Sequence, residues 1–62
     1  MNKKLEELLK KTNSNFSFDE ENKTWCLSGT DKGNYWETDD QEALTVDQAE
    51  SDAIDYLLEN NA

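Results

Sequence analysis

The chain has 62 residues and carries fifteen Asp and Glu against six Lys, with no Arg and no His, for a net charge of −9. That field repels nucleic acid and anionic membrane and attracts basic partners. The single cysteine, Cys26, excludes an internal disulfide, and the absence of histidine excludes an ordinary structural zinc site.

A chain of this length buries only about 60% of its unfolded surface. We therefore expect one marginal domain over residues 1–62 that salt stabilises by screening its repelling carboxylates. No stretch approaches the roughly 20 apolar residues of a membrane span. The N-terminal leucines are interrupted by Glu6, Glu7, Lys10 and Lys11, so nothing there reads as a secretory signal, and the expected compartment is the cytoplasm.

In chain order, Leu5, Leu8 and Leu9 make a helical stripe over residues 2–12 that Met1 and Thr12 extend. Lys10 and Lys11 suit the negative end of its dipole. The polar run Thr12–Asn15 stops this helix, because such side chains compete for backbone hydrogen bonds. Phe16 and Phe18 alternate with Ser17 and Asp19, the period of a strand over about 15–19. Residues 20–23 form a polar turn, and Trp25 and Leu27 define a second strand over 24–28. Gly29 to Gly33 reads as a loop, followed by a third strand over 34–38 containing Tyr35 and Trp36. Connections this short require antiparallel pairing.

Asp39, Asp40, Gln41 and Glu42 break the sheet. Thr45 with Gln48 is a capping-box pattern, and Asp47 sits where a helix favours negative charge. A second helix follows over 46–59, burying Val46, Ala49, Ala53, Ile54, Leu57 and Leu58. Asp47, Glu50, Asp52, Asp55 and Glu59 fill the rest of its circumference, and residues 60–62 fray. The expected class is α+β with element order α-β-β-β-α, a three-stranded antiparallel meander carrying both helices on one face. Phe16, Phe18, Trp25, Leu27 and Trp36 then point into the core. Ser17, Asp19, Thr24, Cys26, Ser28, Tyr35 and Glu37 occupy an open, acidic opposite face.

Carboxylates are the only abundant chemical group. Used as a catalytic pair they need a deep pocket to raise one pKa, and a chain this small has little room for one. Asp39, Asp40 and Glu42 lack the alternating oxygen ligands and central glycine of a calcium loop, and Asp31–Asn34 fails in the same way. Cys26 has no neighbouring base to activate it. The expectation is a non-enzymatic protein with no metal and no cofactor.

Binding is the remaining class. Asp52, Asp55 and Glu59 form a line on the second helix with neighbours roughly 5–6 Å apart. Asp19, Glu20, Glu21, Glu37, Asp39, Asp40 and Glu42 could widen it into a surface resembling a phosphate backbone, with Tyr35 as an aromatic anchor. The plainer reading of each carboxylate is a solvated, solubilising surface group. The partner implied is a basic, nucleic-acid-binding protein surface. The alternative is a small interaction or assembly module, homodimeric through the open sheet face.

In size, acidity and element order the chain resembles small acidic phage-encoded inhibitors of host defence, the anti-CRISPR proteins in particular. That resemblance implies inhibition of a nucleic-acid-handling complex in the host-cell cytoplasm, in some members by charge mimicry of DNA. It rests on no shared motif and carries no residue across.

Overall fold

The computed structural model describes residues 1–61; Ala62 and the side chain of Asn61 lie outside the described residues. The element order is α1 (Lys3–Thr12), β1 (Ser14–Asp19), β2 (Thr24–Asp31), β3 (Asn34–Asp40) and α2 (Val46–Asn61). The three strands form one antiparallel sheet in the order β1-β2-β3. This is the expected α+β meander.

Local chemistry sets each boundary. Asn2 caps α1, its side-chain oxygen accepting from the Lys4 N–H at 2.8 Å and the Leu5 N–H at 3.3 Å. Asn13 ends the helix in the left-handed conformation (φ 55°), which Asn tolerates better than most residues, so β1 starts at once. Asp19 closes β1 by accepting from the Glu21 and Asn22 backbone N–H groups, an Asx turn. Thr45 accepts from the Gln48 N–H at 3.2 Å and so caps α2. The reciprocal half of the expected capping box is replaced, because the Gln48 amide donates to Asp52 at 2.8 Å instead.

The expected loop over residues 29–33 is instead strand and tight turn. Strand β2 continues to Asp31, which pairs with Asn34. Only Lys32 and Gly33 lie between, both at positive φ (53° and 84°), the backbone of a two-residue hairpin whose twist matches its strands. Gly29 is a packing residue. A Cβ there would lie 2.9 Å from Ser14 Oγ and 3.0 Å from Trp36 Cζ2, so glycine lets the indole cross the central strand. The outer strands also differ from expectation, β1 beginning at Ser14 and β3 running to Asp40.

Both helices cover one face of the sheet. Leu5, Leu27, Ala53 and Leu57 form the buried cluster, with Leu8, Leu9, Phe16, Trp36, Ile54 and Tyr56 packed around it. Several residues expected inside stand at its margin. Phe18 is 40% exposed and leans on Trp25 (ring centroids 4.8 Å apart), while Met1, Val46 and Leu58 are also exposed. The α2 stripe is narrower than its apolar pattern because contact is made through Ala49, Ala53 and Leu57. Glu50, expected on the solvated side, is buried; its carboxylate accepts from the Asn2 N–H at 2.9 Å, tying the start of α1 to α2. The helix also outruns its expected end, and Asn60 donates from its side chain to the Tyr56 carbonyl.

Two adjacent leucines test this packing. Leu57→Ala should cost about 2–5 kcal/mol and leave little folded protein. Leu58→Ala, at a 40% exposed site, should cost under about 1 kcal/mol in urea unfolding followed by circular dichroism.

Candidate functional site

The net charge is unevenly divided. Residues 1–32 hold six carboxylates and six lysines, so they are neutral overall; from Gly33 onward there are nine carboxylates and no cation. The whole −9 therefore belongs to β3, its following loop and α2. These elements are neighbours in space. Asp40 meets Asp52 at one end, Trp36 packs at a tilt against Tyr56 (centroids 5.6 Å apart) midway, and Asn34 and Asn60 line one depression at the other end. Thus α2 runs antiparallel to β3, along an edge strand with no further strand beside it.

Strand register sorts the acidic residues of β3. Thr38 pairs with Leu27 and Asp40 with Trp25, facing the helices; Glu37 pairs with Ser28 and Asp39 with Cys26, facing the open side. Tyr35, 68% exposed, shares that open side and donates its hydroxyl to Glu37 at 3.3 Å. Asp55 and Glu59 are exposed on α2, and Glu42 is exposed in the loop. Glu37, Asp39, Glu42, Asp55 and Glu59 thus flank the free edge of β3 from both sides. Glu20 and Glu21 are exposed in the β1–β2 turn with Lys23, at the same end of the sheet as Asp39 and Asp40. The acidic surface is a ridge along β3 and α2.

Three of the expected surface carboxylates have structural duties. Asp19 organises its turn. The side-chain bond from Asn22, then the Asn22 and Glu21 backbone N–H groups, hold its carboxyl below the usual range. Asp40 Oδ1 accepts from the Glu42 and Ala43 N–H groups, both at 3.1 Å, and so shapes the loop into α2. Its other oxygen is buried, and the group facing it is the carboxylate of Asp52. Two carboxylates this close disfavour ionising together. The bond to Asp52, then burial, raises the Asp40 pKa; the same bond, then that from Gln48, lowers Asp52. The sequence signal for these roles was an Asp at a strand end followed by polar turn residues, which is also what surface acid looks like.

Cys26 is half-buried on the open face and donates its thiol to Asp39 at 3.1 Å. That bond, then desolvation, raises its pKa. Among the described residues, no group of three His, Cys, Asp or Glu is arranged to hold a metal ion, and no helix is long and apolar enough to cross a membrane. The chain matches no protein-family model, no curated protein and no solved structure.

Linkage fixes the pH response of the carboxyl pair. Asp40, raised in the folded state, contributes stability that is present below its unfolded pKa and is lost as pH rises through its folded value. Asp52, lowered, contributes stability that is present above its unfolded pKa and is lost as pH falls through its folded value. Asn at position 40 reproduces the protonated acid, donating to Asp52 while still accepting the loop N–H groups. Asp40→Asn should therefore raise the melting temperature at pH 7 to 8 and lose that advantage near pH 4, measured by thermal melts across pH. At Cys26, iodoacetamide alkylation at pH 8 should be slow, and Asp39→Asn should speed it several-fold.

Proposed function

We propose that this chain is a non-enzymatic acidic protein that binds and inhibits a nucleic-acid-handling protein by occupying its basic site. The observation that carries the reading is the segregation of charge. All nine uncompensated carboxylates fall in the contiguous β3–loop–α2 half, and the rest of the molecule is neutral. A groove evolved for phosphates would meet on that ridge several negative charges at intervals of roughly 5–6 Å along the helix and would release counterions on contact. Tyr35, the most exposed aromatic, supplies an anchor beside Glu37 and Asp39. Dimerisation through the open face is less well supported, because a twofold contact would bring the same acidic face of two copies together.

The test is capture of partners from a bacterial lysate at two salt concentrations, with and without competing duplex DNA. Captured proteins should be basic nucleic-acid binders that DNA displaces, and affinity should fall steeply with salt. The double variant Asp55→Asn, Glu59→Gln should lower the log–log salt slope by about 2. Its melting temperature should be unchanged or higher. Binding indifferent to salt would overturn the reading.

A further inference from the structure

A cavity of about 190 Å³ lies between the inner face of the sheet and α2, walled by Trp25, Leu27, Ala53 and Tyr56, with Asp40 and Asp52 at its border. It exists because α2 meets the sheet through Ala49 and Ala53, whose short side chains leave space opposite the Trp25 ring. At ~30 Å³ per molecule the space equals about six waters. It is well below the roughly 300–1,000 Å³ of a drug-sized ligand site. It can take one extended side chain. The lining is mostly apolar, which suits a methylene stem, and the polar end is doubly anionic. The buried Oδ2 of Asp40 has no hydrogen-bond partner.

We infer that this cavity receives a primary alkylammonium group, the end of a lysine side chain presented by a basic partner. The four-carbon stem of lysine lies against Trp25, Ala53 and Tyr56, as such stems commonly cover apolar surface. Its compact –NH₃⁺ supplies three donors and a full positive charge to two neighbouring carboxylates. The contact needs both carboxyls ionised, so binding tightens as pH rises through the range in which the pair ionises. The titratable groups around the cavity are Asp39, Asp40, Asp52 and Tyr56; Asp39 turns its carboxylate to the opposite face, where it accepts from Cys26. The inference rests on the proposed function in taking the partner to be basic, and it names the contact that partner makes.

The experiment titrates the whole protein with n-pentylammonium chloride at constant ionic strength, following amide and indole signals by two-dimensional NMR. Saturable shifts at Trp25, Ala53, Asp40 and Asp52 are expected, with a Kd of roughly 1–10 mM for a ligand of six non-hydrogen atoms. Affinity should be higher at pH 8 than at pH 5. Asp52→Asn should weaken binding about tenfold or more, with n-pentanol giving no comparable saturation. Because Ala53→Met could disturb folding while filling the space, Asp52→Asn is the primary variant, with its fold checked by circular dichroism. Shifts that never saturate, equal binding of pentanol, or undiminished affinity in folded Asp52→Asn would each overturn the inference. Salt-sensitive capture of basic proteins that persists when pentylammonium does not bind would leave the proposed function standing and remove only this site.

Discussion

Everything in this molecule hangs on one small contact. Leu5 of α1, Leu27 of the central strand and Ala53 and Leu57 of α2 close against one another, with Leu8, Leu9, Phe16, Trp36, Ile54 and Tyr56 half-buried around them. A domain this short has little apolar area to remove from water, so its margin is thin. The opposing term is unusual in its placement. The self-repulsion of a −9 chain is concentrated in β3 and α2, two elements that the core forces to lie side by side. The structure holds these elements together by giving some of the repelling groups a partner.

That division of labour explains the acidic surface. Glu50 is buried and bonded to the Asn2 N–H; Asp19 and Asp40 organise the turns that follow their strands; Asp52 faces Asp40. Each accepts from a backbone or side-chain N–H group that compensates for lost water. Glu37, Asp39, Glu42, Asp55 and Glu59 stay exposed on β3, the loop and α2, with Glu37 accepting from Tyr35 and Asp39 from Cys26. Charge on an open edge also discourages pairing with another sheet.

The elements were legible because their periods are plain. Leu5, Leu8 and Leu9 mark a helix, and the alternations around Phe16 and Trp25 mark strands whose short links allow only a meander. The β2–β3 hairpin is tighter than its two glycines suggest, for a physical reason. Two glycines suggest a loop, but Gly29 exists to admit Trp36, and only Gly33 serves the turn. Burial on α2 was overestimated at Val46 and Leu58 because an apolar stripe gives a direction, and the width actually covered depends on what faces it.

From the sequence alone followed the α-β-β-β-α order, the antiparallel meander and the acidity itself. These depend on spacing along the chain, which folding does not alter. Only the tertiary structure decided that Glu50 and Asp52 are structural, since they acquire their roles from residues 48 and 12 positions away. It also brought the acidic elements β3 and α2 side by side and left a cavity between the sheet and α2, because α2 packs antiparallel along β3 through alanines. A carboxylate is the same letter in every one of these settings; its neighbours across the fold determine what it does.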